Sequence, residues 1–184
     1  RVVIGLSLCP WAKAPSEIGA IRYTFSPHRL PGNEGSLLAQ VQSEIGLLCQ
    51  PSAPETTILV APGAYADQFE EFCCLMHDAE SLLVDDGLDE DFQLVGFHPQ
   101  HRFAGEGVED AGNYVNRSPH PMIHILRQHS VTLAVDSHPD SLDVPNVNQR
   151  LLQSLGTEYM QVLLEGICKQ ARRTSEVAQD ENIG

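Results

Sequence analysis

Apolar positions along the chain alternate between two periods, and the switches mark the elements. Val2, Val3, Leu6 and Trp11 lie in a first stretch that reads as a helix end running into a turn at Cys9-Pro10. Residues 21–26 (IRYTFS) alternate apolar and polar side chains and predict a strand. A loop rich in Pro and Gly follows over 27–35. From Ser36 to Cys49 the period changes to 3.6, with Leu37, Leu38, Val41, Ile45 and Leu48 on one helix face. Pro51 and Pro54 stop that helix, and residues 56–61 (TTILVA) predict a strand buried on both sides.

A second amphipathic helix is expected from Asp67 to Val84. Phe69, Phe72, Cys73, Met76 and Leu83 form its apolar stripe. Asp67 and Glu70 have capping-box spacing, and Gly87 supplies a stop. Residues 92–98 (FQLVGFH) predict a third strand. Residues 99–121 show little periodicity and contain two X-Pro bonds, at Pro119 and Pro121. Ser118 to His120 should be extended, and a helix is expected to start at Pro121 with Met122, Ile125 and Leu126 inward. Residues 131–135 fit either a strand or a continuation of that helix. A last helix is expected over 145–169, burying Leu151, Leu152, Leu155, Tyr159, Leu163 and Ile167, followed by a polar tail over 173–184. The order strand–helix–strand–helix–strand predicts one α/β domain over 1–172, with a core sheet of at least three mostly parallel strands, flanking helices and additional C-terminal helices.

Composition narrows the function classes. A formal net charge of −14 opposes binding to nucleic acid, which is itself anionic. No apolar run approaches the ~20 residues of a membrane span. Acidic residues concentrate between Asp85 and Asp91, a surface on which a protein partner of basic character could dock. The five cysteines (Cys9, Cys49, Cys73, Cys74 and Cys168) form no C-x-x-C pair; Cys49, Cys73 and Cys168 fall on apolar helix faces, which points to an intracellular reducing compartment. The chain starts at Arg1 without an initiator Met, so a plastid or mitochondrial location is an additional expectation. Phosphate-cradling glycine motifs and the G-x-S-x-G elbow are absent, so no cofactor is expected.

The candidate chemistry lies between Gly96 and Arg127. His98 ends the third predicted strand, where α/β proteins gather functional groups, and a neutral imidazole there suits a general base. The same histidine could instead fix the loop by hydrogen bonds. Asn116, Arg117 and Ser118 precede the helix expected at Pro121, and a forked guanidinium beside a helix N-terminus suits a small anion. A capped helix start with a surface Arg is the alternative. His120 and His124 have i, i+4 spacing, and with His98 and His101 they raise the question of a metal, but no H-E-x-x-H occurs and no metal ligand is assigned. Cys9, near Lys13, is a third candidate, as a nucleophilic thiol or as a buried turn residue.

The segments Ile4 to Lys13 (IGLSLCPWAK), Glu55-Thr56-Thr57, Phe97-His98-Pro99 through Phe103-Ala104-Gly105, and Asn113 to Met122 (NYVNRSPHPM) with His124 resemble a family of bacterial and algal or plant proteins, catalogued as domain of unknown function 1415. The resemblance runs in order through most of the chain. It marks Cys9, Pro10, Lys13, His98, Asn116, Arg117, Ser118 and His124 as family-pattern positions. His101 and His120 stand where the pattern has aromatic residues, which argues against a four-histidine metal site. The resemblance implies no reaction. Two functions are therefore expected, the first preferred to the second. One is an enzyme-like pocket for a small anionic metabolite, with His98, His124 and Cys9 catalytic and Lys13, Asn116, Arg117 and Ser118 binding. The other is a non-catalytic accessory subunit of a larger assembly.

Overall fold

The computed structural model describes residues 2–9, 11–26, 34–137 and 143–180. Most of the loop expected over 27–35 lies outside them. Two short helices, α1 (Val2–Gly5) and α2 (Lys13–Glu17), lead into strand β1 (Ile21–Phe25). Then come α3 (Glu34–Leu48), β2 (Thr56–Val60), α4 (Phe69–Asp85) and β3 (Phe92–Phe97). A 3-10 turn (Ala111–Val115) precedes β4 (Met122–Arg127), and α5 (Gln128–Ser137), α6 (Val144–Leu155) and α7 (Thr157–Asp180) complete the fold.

The molecule is mixed α/β with additional C-terminal helices, as the pattern predicts, but its sheet differs in one respect. Strand order is β1-β2-β4-β3. β1 and β2 are parallel neighbours, while β4 runs antiparallel to both β2 and β3. The three strands of the predicted β-α-β-α-β unit do share one direction, yet β4 separates β2 from β3. Only one adjacent pair is therefore parallel.

The helix expected at Pro121 is strand β4. Met122-Ile123-His124-Ile125-Leu126-Arg127 sits inside the sheet, with Ile123 and Ile125 on one face and Met122, His124 and Leu126 on the other. A strand covered on both faces carries no period-two signal, and its apolar residues then satisfy a helical spacing by accident. Residues 131–135 resolve as helix, within α5. The expected long final helix is two, broken at Gly156, whose φ of +84° suits glycine. The backbone stays helical to Asp180, through part of the segment expected to be a tail.

α3 and α4 cover one face of the sheet. Leu37, Val41, Ile45 and Leu48 of α3, with Phe72, Leu75, Ala79 and Leu83 of α4, close over Leu59, Ile123, Ile125, Leu94 and Phe92. The α3 stripe is the predicted one. In α4 the stripe is rotated: Leu75 and Ala79 are buried, whereas Cys73 is exposed. Cys49 is exposed too, so neither thiol acts as a core hydrophobe. The Asp67–Glu70 capping box does not form; Gln68 holds the N-cap position without a side-chain cap. Gly87, at φ +68°, ends the helix as expected. α4 rides so close to β3 that a Cβ on Gly96 would stand 3.1 Å from the Phe72 ring and 3.2 Å from Met76 Cγ.

A smaller core joins the N-terminal segment to the C-terminal helices. Leu8, Tyr114, Leu152 and Met160 are buried together, and the Asn148 side-chain amide donates to the Leu8 carbonyl at 2.6 Å. Leu151 and Tyr159, expected inside, are exposed, and Asn148 and Met160 are buried instead.

Candidate functional site

Residues 98–121 connect two antiparallel strands of one sheet and fold back against it. A long connection held against a protein surface has many carbonyl and N–H groups that neither a helix nor a sheet can pair. Side chains of this segment fill that need. Asn113, 0 % exposed, is the hub: its Oδ1 accepts from Phe103 N–H at 3.0 Å, and its Nδ2 donates to the carbonyls of Gly107 at 2.8 Å and Val108 at 3.4 Å. Asn116 Nδ2 donates to Gly96 O at 3.1 Å, and Asn116 O accepts from His98 N–H at 3.1 Å, which extends the pairing beyond the end of β3. Ser118 is buried, and its hydroxyl donates to His120 O. The far side of the connection is held by the helical layer, through Gln153 to the Asp110 carboxylate and Thr157 to Glu109 O.

His98 is fully buried. Its Nδ1 accepts from Gln100 N–H at 3.0 Å, so in the neutral ring the proton sits on Nε2 and donates to Tyr65 O at 2.6 Å. Phe69 and Phe72 of α4 pack on the ring, each with centroids 5.2 Å away. Burial lowers the His98 pKa, against opposing pulls from the Tyr65 carbonyl, Asp67 and Glu70. Tyr65 itself has φ +61°, a left-handed conformation that a bulky residue adopts at a cost. The hydrogen bond from His98 helps hold it.

Arg117 points back into its own loop. Nε donates to His101 O at 3.2 Å, Nη2 donates to Val108 O at 2.7 Å, and the guanidinium lies 4.6 Å from the centroid of the Tyr114 ring. A strand and not a helix follows Pro121, so the helix N-terminus expected there to share an anion with Arg117 does not exist. His101 packs on Phe69 and Phe103, and its pKa falls to about 4 through burial, with Arg117 and His98 adding to the effect.

His98, Asn116, Arg117 and Ser118 are thus brought together as one hydrogen-bonded block. The other site residues are not part of it. His124 projects from β4 on the face opposite α3 and α4, so the sheet lies between it and His98. Trp11 covers it, with ring centroids 6.2 Å apart. Lys13 is exposed and pairs with Glu17 at 3.9 Å. Cys9 is half-buried, and no hydrogen bond or ion pair among the described residues joins it to His98 or Arg117. His120 is exposed, and among the described residues no group of three His, Cys, Asp or Glu side chains is placed to hold a metal. A shallow, open recess of about 720 Å³, lined by Trp11, Pro15, Ile18, Ala53, Pro54 and Glu55 among others, lies at the amino ends of β1 and β2, away from the His98 end of the sheet. Sequence reasoning left Asn113 and Tyr65 out of the candidate set. An Asn inside a Gly-rich stretch is a readable sign of a side chain bound to loop backbone, whereas a carbonyl such as that of Tyr65 leaves no trace in side-chain identity.

His124 gives a pH prediction. Burial lowers its pKa from 6.5 to about 4, and its Nε2 is buried without a partner. A histidine depressed in the folded state takes up its proton more readily when unfolded. Its contribution to stability is therefore complete above pH 6.5 and is lost as pH falls toward 4. At roughly 1.4 kcal/mol per unit, His124 alone contributes about 3 kcal/mol across that window. Urea unfolding at pH 7.5 and 5.0 should show a large acid loss, reduced in His124→Leu. Equal pH dependence in the two proteins would refute this assignment.

A mixed four-stranded sheet with two helices on one face, and a helical layer joined to it by an ordered loop, defines the architecture. The chain belongs to the family described as protein of unknown function DUF1415, whose model matches residues 1–162. No curated protein and no solved structure matches it. No helix among the described residues is long and apolar enough to cross a membrane.

Proposed function

We propose that this protein acts as a non-catalytic accessory subunit, in which residues 96–127 form a rigid internal frame. One observation carries this reading: His98 and Arg117, the central groups of the expected pocket, are spent on the protein's own backbone. Both His98 ring nitrogens are engaged, and the ring has no exposure to a substrate. Arg117 holds two loop carbonyls and lies against Tyr114. The acidic turn at the end of α4 supports a protein partner of basic character, since Asp85, Asp86, Asp89, Glu90 and Asp91 are all exposed and none forms a salt bridge among the described residues.

The competing function, a pocket for a small anionic metabolite, makes the opposite forecast for Arg117. As a frame residue, Arg117→Ala should lower stability by about 1–3 kcal/mol, the cost of leaving carbonyls unpaired. A thermal-shift screen of anionic metabolites should then find none that stabilises the wild-type chain. A metabolite that raises the wild-type midpoint by several degrees and fails to act on Arg117→Ala would establish the pocket and end the accessory reading, because only a ligand of the folded state stabilises it.

A further inference from the structure

β1 is an outer strand of the sheet, and its free edge has an unusual composition. Ala20 O accepts from Glu55 N–H, and Ser26 N–H donates to Val60 O, so the even-numbered residues of this strand turn their backbone groups toward β2. Ile21, Tyr23 and Phe25 therefore turn theirs outward. Of these groups only the Phe25 carbonyl has a partner among the described residues, the Gln40 side-chain amide at 3.4 Å. Gln40 Oε1 is buried there without a partner. The same three residues carry apolar side chains on the sheet face away from α3 and α4, with Tyr23 59 % and Phe25 65 % exposed. Outer strands are ordinarily protected by Lys, Pro or an inward charge. β1 has none of these: its one charge, Arg22, is bound through Nε and Nη2 to the buried Glu44 carboxylate at 2.8 and 3.2 Å.

We infer that β1 pairs antiparallel with β1 of a second copy of this chain, joining two sheets into one of eight strands. A second copy fits because the polarity of the edge is symmetric about Tyr23, with apolar residues at 21, 23 and 25 and polar ones at 22 and 24. With Tyr23 opposite its own counterpart, Ile21 falls opposite Phe25 in both directions, and all six side chains lie on one face. The outward backbone groups of those residues meet as hydrogen-bonded pairs in the same register. Aromatic cross-strand pairs of this kind are favourable. Arg22 meets Thr24 on the other face with its charge already balanced by Glu44, so the contact itself is uncharged. Against it stand the long Gln40 contact on the Phe25 carbonyl, which must be shared or released, and long-range repulsion between chains of charge −14, which salt screens. This inference is independent of the accessory reading, which concerns a different partner.

Sedimentation velocity at rising protein concentration, in ~0.15 M and ~0.5 M NaCl, tests it. The expected result is a shift from the 20.2 kDa monomer to twice that mass, at lower concentration in the higher salt. Tyr23→Lys and Phe25→Lys are each expected to weaken dimerisation at least tenfold; both positions are exposed, so thermal melting of the monomer should be little changed. A wild-type chain that stays monomeric throughout overturns the inference. So does a dimer that tolerates both lysines, or one that salt dissociates.

Discussion

His98→Ala is expected to cost about 3–5 kcal/mol of folding stability. The substitution removes a fully buried ring from between Phe69 and Phe72, and large-to-small changes in a core cost roughly 2–5 kcal/mol. It also leaves the Gln100 N–H without its His98 acceptor, at about 1–3 kcal/mol if that group stays dry, and takes one donor from the Tyr65 carbonyl, which still accepts from Gln68 N–H at 3.0 Å. The Gln100 N–H loss matters more, because the Tyr65 carbonyl retains its contact with Gln68 N–H. Denaturant unfolding at pH 7.5 measures the effect directly. A solvent-facing catalytic histidine would change stability by less than about 0.5 kcal/mol, so a small shift would return His98 to the list of catalytic candidates.

Asn113→Ala is the second large effect, expected at about 3–4 kcal/mol. One side chain closes three backbone contacts of the connection, to Phe103, Gly107 and Val108. Alanine can close none of them, and the position is fully buried. Asn113→Asp separates the two halves of the role: it keeps the acceptor for Phe103 N–H but turns a donor toward two carbonyls into a repelling oxygen. Both variants should also raise amide hydrogen exchange across 103–108 more than in the sheet, since this block opens locally once its hub is gone. Uniform protection of 103–108 in Asn113→Ala would show that the segment is held by other means.

Legible in sequence are a helix with one buried face and a β-branched run bounded by prolines, as in β2 between Pro54 and Pro62. α3 shows its stripe at 3.6-residue spacing because only one side meets the sheet, and β1 alternates even though none of its residues is buried and its apolar Tyr23 and Phe25 are exposed. β4 carries neither sign. Both of its faces are covered, so nothing in Met122–Arg127 distinguishes strand from buried helix, and Pro121 suggested a helix start that does not exist. The difference carries over to the site. With a helix assumed, Arg117 stood beside free N–H groups and His124 stood one turn from His120; with a strand, both relationships disappear. The location of the polar block, from Gly96 through Ser118, was readable because a polar stretch without periodicity must satisfy its own backbone. Whether its side chains face solvent or one another depends on tertiary packing, which no local pattern encodes.

The place of β4 in the sheet has a consequence for how the chain acquires its structure during synthesis. β2 and β3 have no direct pairing, so everything up to Phe97 can assemble at most one parallel two-stranded ribbon and a strand lying apart. The gap is filled by Met122–Arg127, which bonds to both sides at once. Folding of the sheet therefore waits on the emergence of that segment from the ribosome, and its closure links residues far apart in sequence in one cooperative event. Nascent chains arrested before residue 127 should remain protease-sensitive throughout, and those released beyond it should gain resistance in β2 and β3 together.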